Sequence, residues 1–194
     1  MSCDLVLVGV GGQGVLTIAD LLIRCAFAAD VPATYCPTKG MAQRGGFVKA
    51  EVRLGREGVG PRIGEGTADL VIATERSEAL KGLPFLRSGG SFLLYDHVWA
   101  PTGVMLGADP YPKRKQVTAA IEKVAGRALV LSPADLPSVE GQVVRPNIYV
   151  LGAAIGRTPL GEVLSVDSMA ATIEARWPGA GEANLASFRA GVGE

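Results

Sequence analysis

The chain has no excess of charge of either sign and few cysteines. Lysine and arginine together number 19, as do aspartate and glutamate, so the formal net charge is zero. A neutral chain lacks the long-range positive field that attracts nucleic acids, which argues against DNA or RNA as a partner. The three cysteines are odd in number and never occur as C-x-x-C. The sequence therefore predicts neither a disulfide framework nor a structural zinc or iron–sulfur site on this chain.

Long apolar segments are also missing. The first ten residues contain no basic segment of signal-peptide type, and Asp20 and Arg24 interrupt the longest apolar helix. We therefore expect a cytoplasmic protein that is neither exported nor membrane-spanning. Glycine is abundant instead, with 26 of 194 residues against about 7% in average proteins. Because these glycines punctuate apolar runs as turn residues do, we expect residues 1–194 to form one globular domain.

Strand patterns and helix patterns alternate along the chain. The apolar run 4–10 predicts a strand buried on both faces, and the apolar spacing in 15–29 predicts a helix. The other predicted strands are 31–35, 47–54, 69–73, 91–95 and 128–131, and the other predicted helices are 75–86, 116–125, 147–155 and 167–176. Residues 37–46 and 132–141 are predicted loops. This order predicts an α/β fold, a Rossmann-like three-layer α/β/α sandwich around a mostly parallel, mixed sheet.

The segment 47–54 differs from the other predicted strands. Its apolar residues alternate with Lys49, Glu51 and Arg53. This period of two predicts one solvent-facing side and antiparallel pairing at an edge of the sheet.

A glycine motif joins the first predicted strand to the first predicted helix. Gly9, Gly11 and Gly14 satisfy G-x-G-x-x-G, Gly12 is an additional glycine, and Gln13 lies in the turn with its amide free to hydrogen-bond. Glycine permits positive φ and a close approach of a ligand to the backbone, and a helix N-terminus attracts anions. The motif fits a phosphate site, a dinucleotide site, or close packing of the helix on the strand.

The dinucleotide interpretation requires an acidic residue about twenty positions later, at the end of the second strand. The sequence there runs Tyr35, Cys36, Pro37, and Asp30 stands at the other end of that strand. Two alternatives therefore remain, an autonomous NAD(P)-dependent reductase and a regulatory nucleotide-binding module. Neither is supported by a carboxylate at the position that would bind the ribose.

Two segments together resemble a known family. VGVGGQGV (8–15) and KGMAQRGGFVKAEVRLG (39–55) resemble the gamma-type subunit of the 2-oxoacid:ferredoxin oxidoreductases, and are most similar to the small beta subunit of the indolepyruvate oxidoreductases. The resemblance continues at 68–70, 89–90 and 147–152 and becomes weaker after about residue 157.

The resemblance implies oxidative decarboxylation of a 2-oxoacid, with thiamine diphosphate as the cofactor and coenzyme A as the acyl acceptor. Electrons would leave through iron–sulfur clusters to ferredoxin or NAD. It places thiamine diphosphate, Mg²⁺ and the clusters on partner subunits, and this sequence has no G-D-G…N-N thiamine motif. The chain would bind none of these cofactors alone, would be inactive alone, and would supply one wall of the active site.

The resemblance also carries over candidate site residues. They are Gly9, Gly11, Gly12, Gln13, Gly14, Lys39, Gln43, Arg44, Gly45 and Gly46. We expect the two loops on one rim of the sheet, because they follow the first two predicted strands, which we expect to be neighbours. Lys39 and Arg44 would then lie near the phosphates of coenzyme A. Arg44 has a second interpretation, as the partner of an acidic residue on another subunit.

Other candidates carry less information from the sequence alone. Cys36 is expected to be an ordinary, partly buried thiol, and His97 is a lone histidine without an identified partner. Asn147 is expected to cap or pack a helix, and Trp99 and Trp177 to serve in packing or at an interface.

Overall fold

The computed structural model describes residues 1–39, 45–100, 102–108, 110–139, 142–179 and 181–193. The strands of the large sheet are β1 (Cys3–Val10), β2 (Ala33–Lys39), β3 (Phe47–Leu54), β4 (Ala68–Ala73), β5 (Leu86–Tyr95) and β6 (Arg127–Leu131). Two short strands, β7 (Ser138–Val139) and β8 (Gln142–Val143), pair separately. The helices are α1 (Val15–Ala28), α2 (Ala79–Gly82), α3 (Thr102–Met105), α4 (Arg114–Glu122), α5 (Pro146–Arg157), α6 (Val166–Arg176) and α7 (Gly181–Val192).

The large sheet is mixed and has the strand order β2-β3-β1-β4-β5-β6. β1, β4, β5 and β6 are parallel, whereas β3 runs antiparallel to both of its neighbours, β1 and β2. β1 lies inside the sheet and all eight of its residues are buried, as its continuous apolar run predicts. The predicted α/β fold with a mostly parallel, mixed sheet is confirmed.

Helices cover both faces of the sheet. Leu5 and Leu7 of β1 belong to the larger apolar core, which also contains buried residues of α1, α5, α6 and α7. Val6 and Val8 point to the opposite face, where the smaller core includes residues of α2 and α4. Alternate side chains of β1 thus contribute to two apolar cores, one on each face of the sheet. Among the described residues, no helix is both long and apolar enough to cross a bilayer.

The second and third strands differ from their predictions. β2 continues to Lys39, into the predicted loop 37–46, and Pro37 is tolerated because β2 is an edge strand with one free side. β3 pairs antiparallel as predicted, but it lies between β2 and β1, so its predicted edge position was wrong. The predicted solvent-facing side was also wrong at Glu51, which is 1% exposed. Its carboxylate accepts hydrogen bonds from Arg62 Nη1 (3.1 Å) and Ile63 N (3.0 Å).

Two helix predictions also failed. The predicted helix 75–86 is reduced to α2 and a 3-10 turn, Leu83–Phe85. Pro84 lies in that turn and has no N–H with which to continue an α-helix. β5 consequently begins at Leu86. α7 was missed, since Gly181 and Gly191 lower helix propensity, and tertiary packing stabilises it through the fully buried Phe188.

Candidate functional site

A glycine turn connects β1 to α1 at the carboxyl end of the parallel strands. Gly12 and Gly14 have φ values of 105° and 78°, in the left-handed region that favours glycine. Gly14 is the N-cap of α1, and no side chain caps this helix. Thr17 N donates to Gly14 O (3.0 Å), whereas the N–H groups of Val15 and Leu16 have no hydrogen-bond acceptor among the described residues.

The second family-like segment meets this turn directly. Gly11 N donates a hydrogen bond to Gly46 O (2.8 Å), and Gly45 N donates to Gly11 O (3.3 Å). The prediction that the two loops share one rim assumes that β1 and β2 are neighbours. That assumption was wrong, because β3 lies between them and its first residues bring Gly45 and Gly46 against the turn.

Part of the second segment lies outside the described residues. This applies to all of Gln43 and Arg44, whereas Lys39 is described as the last residue of β2 without its side chain. Their expected roles toward coenzyme A or a partner subunit stay predictions.

Two glycines of the turn are required by packing. A Cβ atom at Gly9 would lie 2.0 Å from Thr74 Oγ1 and 2.7 Å from Val15 Cγ2. A Cβ atom at Gly14 would lie 2.6 Å from Asn147 Nδ2. At Gly12 no atom would come within 4 Å, so this position faces open space. Close packing therefore accounts for the first and last glycines of the motif.

The Gln13 amide, expected to hydrogen-bond, does so at both of its ends within this chain. Its Oε1 accepts hydrogen bonds from Val10 N (2.9 Å) and Thr74 Oγ1 (2.9 Å). Its Nε2 lies 3.3 Å from Nδ1 of His97. Gln13 thus connects the ends of β1, β4 and β5 at one rim.

A cavity of about 380 Å³ opens beside the glycine turn. Residues from β4, β5 and the N-termini of α1 and α5 surround it. They are Gly12, Gln13, Gly14, Thr17, Thr74, Tyr95, His97, Trp99, Pro146, Asn147 and Val150. This position agrees with the rule that open α/β sheets bind ligands beyond the carboxyl ends of their strands.

Three lining residues are not among the predicted site residues. The sequence gives no reason to select Tyr95, it predicts His97 as a lone histidine without a partner, and it predicts that Asn147 caps or packs a helix. The local sequence signals for a site role are weak. His97 follows a strand end and Asn147 opens a helix, but only the strand order shows that both face the glycine turn.

Two buried carboxylates hold the outer wall of the cavity. Asp96 accepts hydrogen bonds from Arg76 Nε (2.6 Å) and Nη2 (3.1 Å), while Arg76 N donates to the His97 carbonyl (3.1 Å). Glu75 accepts hydrogen bonds from Trp99 N (3.4 Å) and from the Tyr111 hydroxyl. Burial and the Glu75 carboxylate raise the pKa of Tyr111. This network of hydrogen bonds holds the backbone of His97 and Trp99 in place.

The geometry does not favour a dinucleotide site. In such a site the strand that follows the first helix lies next to β1, runs parallel to it and ends at the rim with a ribose-binding carboxylate. Here the strand that follows α1 is β2, which is separated from β1 by the antiparallel β3 and ends with Thr38 and Lys39.

Comparison with known proteins defines the family. The family model described as pyruvate ferredoxin/flavodoxin oxidoreductase matches residues 4–194. The chain belongs to this family. Within it, the chain is 35% identical over 156 residues to the indolepyruvate oxidoreductase subunit IorB of Archaeoglobus fulgidus, covering 80% of this chain and 77% of that protein. It is 32% identical to the IorB subunit of Methanothermobacter thermautotrophicus, covering 100% and 97%.

Solved structures show the same family fold. The pyruvate oxidoreductase subunit PORC of Thermotoga maritima superposes with a TM-score of 0.70 at 20% identity, covering 100% of this chain and 96% of that chain. The 2-oxoglutarate:ferredoxin oxidoreductase of Magnetococcus marinus, a structure with 2-oxoglutarate, coenzyme A and succinyl-CoA bound, superposes with a TM-score of 0.59 at 15% identity. That match covers 98% of this chain and 30% of the larger one. The described fold thus also occurs within a longer chain.

Proposed function

We propose that this chain is the small, non-autonomous subunit of a thiamine diphosphate-dependent 2-oxoacid oxidoreductase. The complex would convert a 2-oxoacid and coenzyme A into acyl-CoA and CO₂, and pass two electrons through iron–sulfur clusters to ferredoxin or NAD. Membership of the family and the likeness to two IorB subunits support this proposal. The IorB likeness favours an aromatic 2-oxoacid such as indolepyruvate.

One observation carries the role of this chain within such a complex. The two family signatures meet through the hydrogen bonds between Gly11 and Gly45–Gly46, beside the cavity at the carboxyl rim of the sheet. We infer that this rim forms one wall of the shared active site and faces coenzyme A. The thiamine diphosphate, when bound to its own subunit, supplies the electron sink for decarboxylation.

The residues present do not fit an iron–sulfur cluster on this chain. A cluster of this kind takes four thiolate ligands, whereas the sequence has three cysteines. Cys3 and Cys25 are buried, and burial raises the pKa of the Cys3 thiol to about 12. In the proposed complex the clusters therefore belong to partner subunits.

Co-expression with the products of neighbouring genes tests the proposal. A complex that contains thiamine diphosphate and iron, and that oxidises a 2-oxoacid only when coenzyme A is present, is the expected result. A chain that purifies alone from such a co-expression would contradict it.

Arg44→Ala then tests the second signature within the assembled complex. If Arg44 contacts a phosphate of coenzyme A, the variant loses a charge-assisted hydrogen bond of roughly 1.5 to 3 kcal/mol. The KM for coenzyme A should rise by about ten- to a hundredfold, with unchanged thiamine diphosphate content. Arg87→Ala is the matched control, because Arg87 lies in the first part of β5, at the opposite end of the sheet. An unaltered KM would exclude the acceptor contact, and failed assembly would favour the interface interpretation of Arg44.

A further inference from the structure

The exposed apolar side chains of this protein are concentrated in one loop. This is the β5–α4 loop, residues 97–113, which the structure describes except at 101 and 109. Among the described residues of the chain, seven large hydrophobic side chains are exposed, and four of them belong to this loop: Val98, Trp99, Met105 and Leu106. Soluble proteins usually expose such side chains singly, whereas a concentration of them marks an interaction surface.

Both ends of the β5–α4 loop are fixed to the same part of the fold. Near its start Trp99 N donates to Glu75 Oε1 (3.4 Å), and near its end the Tyr111 hydroxyl donates to the same oxygen. Asp96, directly before the loop, lies 3.3 Å from Nε of Arg114, directly after it. A loop with fixed ends presents its side chains from a defined base, so a partner that binds it loses less free energy in ordering it.

The most exposed side chains of the loop do not contribute to the core of the chain. Met105 (75% exposed) ends the short helix α3, and Leu106 (78% exposed) follows it. Neither belongs to the described residues of the two apolar cores. A backbone hydrogen bond from Ala108 N to Gly103 O (2.9 Å) closes the turn that presents them. Their transfer from water to an apolar partner surface is therefore a gain that this chain alone does not obtain.

The position and charge of the loop indicate which partner covers it. Trp99 lines the cavity at the carboxyl rim, the proposed wall of a shared active site. The subunit that completes this active site must therefore approach across the loop. Lys113, Arg114 and Lys115, where the loop meets α4, are exposed and basic, while Asp96, which pairs with Arg114, is buried. The complementary surface is apolar at its centre and acidic at its border.

We propose that the β5–α4 loop is the docking surface for the thiamine diphosphate-binding subunit, which receives Met105 and Leu106 in an apolar pocket bordered by acidic side chains. The inference rests on the proposed function and adds to it the place where the two subunits join. Tryptophan and methionine are enriched in the centres of such interfaces, and a few buried apolar side chains carry most of the binding free energy. A second copy of this chain is the other occupant that the experiments must distinguish.

Leu106→Asp tests the apolar contact with the purified partner subunit. A buried carboxylate without a partner, close to acidic side chains, should raise the Kd by about thirtyfold or more, as at other interface positions that dominate binding. Phe27→Asp is the matched control, because Phe27 is also exposed (64%) but lies in the last turn of α1, and α1 begins at the rim and runs away from it. Equal Kd values of the two variants would overturn the proposal.

Thermal unfolding shows whether the substitution acts on the interface alone. Because Leu106 is exposed, both Leu106→Asp and Phe27→Asp should keep the Tm of the unsubstituted chain. If Leu106→Asp is less stable, Leu106→Ser takes its place, since it removes the apolar contact without adding a charge. A Leu106→Ser chain that binds the partner as tightly as the unsubstituted chain rejects the apolar pocket.

Lys115→Glu tests the acidic border of the partner surface. Reversal of an exposed charge beside the interface should slow association by about tenfold at low ionic strength, and salt should reduce this difference. Lys123→Glu is the matched control, because Lys123 is an exposed lysine at the other end of α4. An association rate of Lys115→Glu that equals or exceeds that of the control refutes the acidic border.

Sedimentation of the isolated full chain separates the two occupants. The expected result is the same oligomeric state for the unsubstituted chain and for Leu106→Asp, together with weak binding of Leu106→Asp to the partner subunit. A dimer that Leu106→Asp converts into a monomer would show that a second copy covers the loop, and the proposal would be wrong.

These measurements also separate the docking surface from the proposed function. A complex that contains thiamine diphosphate and iron and requires coenzyme A, in which Leu106→Asp and Phe27→Asp bind equally well, rejects the docking surface and keeps the function. Selective weakening by Leu106→Asp in a complex that oxidises no 2-oxoacid supports the docking surface and rejects the function.

Discussion

Replacing Gly9 by alanine tests whether packing or ligand approach is the reason for the first glycine of the motif. A Cβ atom there would lie 2.0 Å from Thr74 Oγ1 and 2.7 Å from Val15 Cγ2, and β1 is buried throughout. Overpacking of this kind costs about 1 to 3 kcal/mol. Moving the Thr74 side chain aside also breaks its hydrogen bond to Gln13 (2.9 Å), which contributes roughly 0.5 to 1.5 kcal/mol. We expect Gly9→Ala to lower the free energy of unfolding by about 2 to 4 kcal/mol.

Thermal and urea unfolding of the full chain measure this loss. For a chain of this size each kcal/mol corresponds to about 2 to 4 °C in Tm, so the expected decrease is roughly 4 to 16 °C. Gly60→Ala is the matched control, because a Cβ atom there meets nothing within 4 Å and Gly60 does not have a positive φ. The control should change stability by less than about 0.5 kcal/mol. A Gly9→Ala protein as stable as the control would refute the packing explanation and favour ligand approach.

Three further predictions follow from buried groups and from the composition. Burial raises the pKa of Tyr95 from 10.0 to about 12; the unfolded chain therefore loses this proton first, and stability should fall between pH 10 and 12. Tyr95→Phe should flatten that fall in urea titrations, and equal slopes would contradict it. Asp96→Asn should lower the free energy of unfolding by about 1.5 to 3 kcal/mol, because it weakens the charge-assisted hydrogen bonds to Arg76. Asp20→Asn is the control, because Asp20 belongs to an exposed ion pair, and it should leave the urea midpoint unchanged. Equal losses of stability in the two variants would contradict a special contribution of the buried carboxylate. The isolated chain should be colourless and inactive as a decarboxylase, and stoichiometric visible absorbance from a cluster would contradict this.

Much of the fold could be predicted from local patterns. The run 4–10 and the helix 15–29 correspond to β1 and α1 within one residue at either end, because burial on both faces and helical spacing leave strong periodic signals. Ser165 caps α6 by accepting a hydrogen bond from Ser168 N (3.1 Å), which agrees with the preference for serine at helix N-caps. α7 escaped prediction, because its stability comes from burial of Phe188 and not from propensity.

Only part of the candidate site could be predicted from the sequence. The glycine turn and the Gly45–Gly46 segment were recognisable as short motifs, since glycine at these positions reflects local backbone geometry and close packing. The strand order had to be known before the rest could be placed. Nothing local shows that β3 inserts between β2 and β1, or that the ends of β4 and β5 carry Thr74 and His97 to Gln13.

By itself the sequence determined the alternation of strands and helices, the buried strand β1, the glycine turn and the family. Each of these depends on residues that are close together in the chain. Only the tertiary structure decided which loops meet, which glycines are needed for packing and which way the Gln13 amide points. These properties depend on contacts between residues far apart in sequence, such as the 84 positions between Gln13 and His97. Hydrogen-bond direction is set by the full set of neighbours, and that set exists only after the strands have paired.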